Sequence, residues 1–205
     1  MRPLPLTFLL ATALSAFAAD PEPAKVTHSM FIAGSQTAIL DGDGKVIWQY
    51  PGQTRDGFVL PNGNLLLAVS KNNTDYPGGA VIEITRENKV LFEFKGTQSE
   101  VNTAQLLPNG NIMLTEAGAN PRILEVDRAG KIVVEVPLQC QNTNHHMESR
   151  MTRKLPNGDY LVPQLLDRVV REYTLEGKIV WEYKTPDDLK EDWPFTAIRC
   201  QMGIR

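Results

Sequence analysis

The chain has 205 residues, 42 % of them hydrophobic, with 24 acidic against 21 basic side chains and a formal net charge of −3. Acids and bases are interspersed, so no basic stripe suggests nucleic acid and no charge block suggests a tail. Two cysteines, Cys140 and Cys200, are too few for a disulfide framework.

The first residues have the order of a secretory signal. Arg2 precedes an apolar run from Leu4 to Leu14 and then the small-residue site Ala16-Phe17-Ala18. The run is too short to span a bilayer, which takes about 20 residues. The expected organisation is therefore a cleaved segment 1–18 and one domain over 19–205, secreted or periplasmic, with no membrane span. Losing Arg2 takes the formal charge from −3 to −4. Export permits a Cys140–Cys200 disulfide without requiring one.

A first unit, 26–50, reads as three strands: 28–34, 37–41 and 45–50. Next comes the short apolar strand Gly57-Phe58-Val59-Leu60, the turn Leu60-Pro-Asn-Gly-Asn64, and the strand Leu65 to Val69. The turn returns at Leu107 to Asn111 and, as LPNGD, at Leu155 to Asp159, at spacings of 47 and 48. Pro presets φ for the second turn position and Gly supplies the left-handed residue closing a type I turn with a bulge. A second loop follows in every unit: Asp41 to Gly44, Thr85 to Asn88, Asp127 to Gly130 and Thr174 to Gly177. After it come the strands KVIWQY, KVLFEF, KIVVEV and KIVWEY. Two hairpins per repeat of about 45 residues make a four-stranded antiparallel blade, the repeat of a β-propeller. No segment has a sustained helical period.

The predicted fold is all-β, a propeller of about four blades at 26–50, 56–94, 101–136 and 149–183, with the start of a further blade over 195–205. The first unit lacks its inner strand, and Phe195 to Arg199 resembles one at the other end. Two readings stay open. The terminal strand completes the first blade and closes a four-bladed ring, or the chain is an incomplete copy of a larger propeller. The latter is favoured because Cys200 to Arg205 stands where another LPNGN is due. An open ring exposes strand edges, so self-association through them is expected.

The repeated DGDGKVIW, LEGKIVW and LPNGN resemble the blades of quinoprotein-like propellers, the superfamily holding pyrroloquinoline quinone (PQQ) dehydrogenases and bacterial arylsulfotransferases. The resemblance runs over all the repeats and is closer to uncharacterised exported PQQ-like repeat proteins than to either enzyme group.

In such a ring the regular turns share one face and the irregular connections share the other. These are 70–79, 116–122, 137–150, 164–168 and 184–194, and loops on a rigid scaffold commonly carry binding and catalysis. The most chemical stretch is His145-His146 with Glu148 and Arg150, which combines imidazole, carboxylate and guanidinium. Resemblance to arylsulfotransferases, which use a transiently sulfated histidine, implies His145 or His146 as nucleophile and Arg122, Arg150, Arg168 or Arg199 as sulfate ligands. The family's wider site pattern finds no match. The first reading is accordingly a binding or scaffold module for a small molecule, glycan or protein. Its face would carry Asp75, Tyr76, Arg122, Glu148, Arg150, Asp167, Arg168, Trp193 and Arg199, with Tyr and Trp as anchors and Arg for charged groups.

No cofactor is expected. Trp48 and Trp181 occupy the Trp of the GKxxW pattern, but Phe92 and Val134 replace it elsewhere, which points to packing rather than a quinone site. Asp41-Gly-Asp-Gly resembles half a calcium loop. The other repeats keep the turn while placing Arg86, Arg128 and Leu175 there, so a hairpin explains it and no metal is predicted.

Overall fold

A computed structural model describes residues 28–141, 144, 146 and 148–186. The described residues form one three-stranded and three four-stranded antiparallel sheets, each joining consecutive strands, and no helix. Sheet 1 contains β1 (Met30–Ile32), β2 (Thr37–Leu40) and β3 (Val46–Tyr50). Sheet 2 contains β4 (Thr54–Val59), β5 (Leu65–Val69), β6 (Ala80–Ile84) and β7 (Val90–Lys95). Sheet 3 contains β8 (Glu100–Leu106), β9 (Ile112–Ala117), β10 (Arg122–Val126) and β11 (Ile132–Pro137). Sheet 4 contains β12 (Arg153–Lys154), β13 (Tyr160–Gln164), β14 (Val169–Tyr173) and β15 (Ile179–Lys184). This is the predicted β-propeller, with blade limits shifted by up to four residues. The terminal segment on which the two ring readings turn, Phe195 to Arg205, lies outside the described residues, as do residues 1–18 and Cys200.

Both repeated turns have the anticipated chemistry. In the inner hairpins the Gly63 N–H donates to Leu60 O at 2.9 Å, and Gly63, Gly110 and Gly158 take φ of 86°, 85° and 96°. In the outer hairpins the closing residues Gly44, Asn88, Gly130 and Gly177 lie at φ between 62° and 80°. Why Asp or Thr opens each outer loop is also plain. Asp41 Oδ1 accepts the N–H groups of Asp43 and Lys45, and Thr85, Asp127 and Thr174 repeat the pattern. Asp41 is occupied as a turn former, as the hairpin explanation requires.

The core lies between the sheets. Leu65, Leu67, Ile82 and Ile84 of sheet 2 face Ile39 of sheet 1, whereas Leu66, Ala68 and Val81 face Ile112, Leu114 and Leu124 of sheet 3. Met113 and Ile123 then meet Tyr160, Val162 and Tyr173 of sheet 4. Middle strands are thus buried on both faces, which is why Leu65 to Val69 is a continuous apolar run rather than an alternating one. The GKxxW position joins blades at their rim. Trp48 Nε1 donates to Arg86 O at 2.8 Å beneath the Arg86 guanidinium, and Arg128 lies 5.1 Å from the Phe92 ring.

Candidate functional site

The inner strands carry a repeated irregularity. Pairing of β4 with β5 skips Arg55, and pairing of β8 with β9 skips Asn102, so each is the extra residue of a β-bulge. Both stand five residues before the leucine of LPNG, and Arg150 stands five before Leu155. A bulge turns its side chain away from the alternation of the sheet. Here it sends Arg55 and Asn102 toward the irregular-loop end of the inner strands, where Arg150, which precedes β12 and donates its N–H to Pro163 O at 3.1 Å, joins them.

Arg55 meets Glu100, the first residue of β8, which is only 1 % exposed. Glu100 Oε2 accepts from Arg55 at 2.9 Å and Oε1 from Lys71 at 3.0 Å. His146 Nδ1 is 3.1 Å from Glu100 Oε2, while its Nε2 is 3.1 Å from Arg150 Nη2. A carboxylate can only accept and a guanidinium can only donate. The tautomer that matches both contacts has its proton on Nδ1 toward Glu100 and its Nε2 lone pair turned to Arg150. Asn102 accepts from Arg150 at 3.4 Å and donates to Ser149 O at 3.0 Å.

Above Glu100 is a recess of about 450 Å³, lined by Gly34, Ser35, Gln53, Thr54, Arg55, Ser70, Lys71, His146, Arg150 and Met151. Sheet 1 contributes Gly34 and Ser35 of the β1–β2 loop, sheet 2 and its flanks Gln53, Thr54, Arg55, Ser70 and Lys71, and the approach to sheet 4 His146, Arg150 and Met151. Among the described residues no acidic side chain lines it. Burial lowers the pKa of Arg150 to about 10, reinforced by the charge on Arg55 and opposed by Glu100. Arg55 is lowered for the same first reason, against the pull of Glu100.

Lys71 is held by the loop 70–79. Asn72 Oδ1 accepts the N–H groups of Thr74, Asp75 and Tyr76, and the loop is anchored by a backbone approach at Gly78. A Cβ there would stand 2.3 Å from Gln98 O and 2.7 Å from Gly96 O, so no other residue fits.

Of the predicted site residues, His146 and Arg150 come together at the recess. Asp75 and Tyr76 sit on the loop beside it, with Tyr76 Oη donating to Glu93 at 2.8 Å and the Lys95 ammonium 5.5 Å from its ring. Glu148 is elsewhere. It is buried, accepts the Gly118 N–H at 3.0 Å, and lines a second cavity of about 390 Å³ with Arg122, Gln139 and Cys140. The carboxylate beside His146 is Glu100, not Glu148. Arg122 spends its donors on Glu116, Glu135 and Thr97. Asp167 accepts the Gln141 N–H at 2.9 Å, and Arg168 donates to Pro186 O at 2.9 Å. Burial pushes the Cys140 thiol up to about 12, and it accepts from Gln164 at 3.1 Å. His145, Trp193 and Arg199 lie outside the described residues. No group of three or more His, Cys, Asp or Glu suited to a metal ion occurs among the described residues, and none of their helices is long and apolar enough to cross a membrane.

Sequence reading missed Arg55, Lys71, Glu100 and Asn102. The available signal was positional, a polar residue five places before every LPNG.

No protein-family model matches the chain, and no curated protein matches it in sequence. Its fold is shared with solved β-propellers. A protein of unknown function from Bacteroides caccae is 25 % identical with a TM-score of 0.65 over 76 % of this chain and 57 % of that one. A streptogramin B lyase is 14 % identical with a TM-score of 0.53, over 79 % of this chain and 56 % of that one. The WD40 propeller domain of Doa1 is 18 % identical with a TM-score of 0.53, over 74 % and 48 %. The chain thus matches about half the length of these propellers. What is shared with them is the β-propeller architecture.

Proposed function

We propose that this chain is an exported propeller module that binds a ligand in the recess at the irregular-loop end of its inner strands. The observation that carries the reading is the convergence on one concavity of side chains from several repeats: Arg55, displayed by a bulge that interrupts otherwise regular pairing, with Lys71, His146 and Arg150. A volume of about 450 Å³ lies within the 300–1,000 Å³ typical of small-molecule sites. Export rests on the pattern of residues 1–18. The test is a thermal-shift screen of small molecules and glycans against the protein and a Ser35→Trp variant, which fills the recess from the β1–β2 loop. Stabilising compounds that lose their effect in the variant support the reading. Hits that ignore the plug defeat it.

A second reading is favoured by His146 alone. Its Nδ1 is held by a buried carboxylate, the way a nucleophilic imidazole is oriented, while its Nε2 is held by Arg150 at the border of the recess. In a sulfotransferase-like reaction Nε2 would attack the sulfur of an aryl sulfate and the S–O bond to the aryl group would break, once Arg150 moved off Nε2. Aryl sulfate turnover that survives replacement of both His145 and His146 by Ala excludes it.

A further inference from the structure

The recess has an imbalance of charge that pairing within the protein leaves uncorrected. Arg55, Lys71 and Arg150 all line it, and the single carboxylate they share, Glu100, lies beneath them rather than on its surface. Arg150 reaches Glu100 only through His146. The Nε atoms of Arg55 and Arg150 are both buried without a hydrogen-bond partner among the described residues. Buried donors of this kind are rare because each loses its hydration without compensation. The three cations are also of graded exposure. Arg55 is 12 % exposed at its side chain and Lys71 is 52 % exposed, so one is a fixed wall and the other a movable arm.

We propose that the recess seats an oxyanion, a carboxylate, sulfate or phosphate group, held between Arg55, Lys71 and Arg150, and that this group anchors a larger ligand. The inference rests on the binding-module reading and names the chemistry of its ligand. An oxyanion supplies acceptors for guanidinium donors and offsets the surplus of positive charge, and guanidinium recognises planar or tetrahedral oxyanions in bidentate fashion. A recess of about 450 Å³ is far larger than one such group, which is why the oxyanion is read as an anchor rather than the whole ligand. The uncharged lining residues Gly34, Ser35, Gln53 and Ser70 then face its remainder. The His146–Arg150 contact is the one that yields, since both partners border the cavity and His146 is more than half exposed.

The test is calorimetric titration of the full chain with sodium sulfate, phosphate and acetate in the low millimolar range, against sodium chloride at matched ionic strength. Saturable binding of at least one oxyanion and none of chloride is the expected result, and the tightest of the three identifies the group. Arg150→Met should weaken that binding by about tenfold or more, the range of a charge-assisted hydrogen bond. Lys71→Met, at a half-exposed side chain whose loss leaves the fold intact, should weaken it by a smaller factor, about threefold. Binding absent in the wild type, or unchanged in both variants, overturns the inference. Failure of this inference is separable from failure of the binding reading. Screen hits abolished by Ser35→Trp but indifferent to Arg150→Met and to competing sulfate leave the recess a binding site and remove the oxyanion from it. Saturable oxyanion binding with no larger hit keeps the oxyanion seat and overturns the larger ligand that it was inferred to anchor.

Discussion

Glu100 and Asp56 are both carboxylates buried among the inner strands, and both contact arginine, yet their surroundings have opposite balance. Asp56 meets Arg153 in a bidentate pair at 2.8 and 3.1 Å, accepts from the Thr103 hydroxyl and from the Gly57 and Ala104 N–H groups, and the same guanidinium lies 5.0 Å from the Phe58 ring. One negative charge meets one positive charge, and both oxygens of the carboxylate are satisfied. Glu100 meets two cations directly while a third, Arg150, stands beyond His146. The first arrangement ties blades together; the second leaves charge over for something else. A buried ion pair closed on itself serves the fold, whereas one left open toward a cavity is a place to look for function.

Substitution can break that contrast. Removing Asp56 strands Arg153 between sheets, so Asp56→Ala should cost about 3–5 kcal/mol in chemical denaturation. Addition of sulfate should not restore it, because Arg153 is a single cation packed against Phe58 rather than one of three around a recess. Glu100→Gln leaves Arg55 and Lys71 without a carboxylate while keeping one acceptor, and should cost about 2–3 kcal/mol. Here millimolar sulfate should return a measurable part of the loss; equal behaviour of the two variants in sulfate would erase the distinction between the clusters.

Smaller effects sharpen it. Burial and the Arg55 charge hold Arg150 down at about 10, so carrying its proton at neutral pH works against folding. In sign, the unfolded chain binds that proton more tightly than the folded one, and stability from this group rises only as pH climbs above about 10. Arg150→Met should therefore leave stability in place or raise it by up to about 1 kcal/mol at pH 7, even as ligand binding falls, a trade expected where a site is built at the expense of stability. A loss beyond about 1 kcal/mol would mark Arg150 as structural. Lys71→Met, at a largely exposed pair, should change stability by less than about 0.5 kcal/mol. Its effect should be confined to binding and to the salt dependence of binding.

The architecture was legible because turns repeat. LPNG and the Asp- or Thr-led outer loops are determined by backbone demands, so four units could be aligned from residue identity alone. The site was only partly legible. His146 and Arg150 were visible as unusual chemistry in a loop, but the partner of His146 was assigned to Glu148, near in sequence, rather than to Glu100 on another blade. Inner strands also begin earlier than their apolar residues suggest. Starting the second blade at Asp56 left Arg55 outside it, and starting the third at Val101 left Glu100 outside, because channel-facing positions are polar and break the pattern used to find strands. Asn102 fell inside a predicted blade and was overlooked because nothing in the sequence marks a bulge.

The bulge before the first two LPNG turns has an evolutionary meaning. Its geometry belongs to the backbone of the repeat, whereas the residue it displays is Arg55 in one copy and Asn102 in the next. A duplicated blade that keeps the bulge delivers one more side chain to the same end of the inner strands. Such positions work as a dial: exchanging them together with the buried partners they hold, Glu100 and Ser149, offers a route to new selectivity on a kept scaffold.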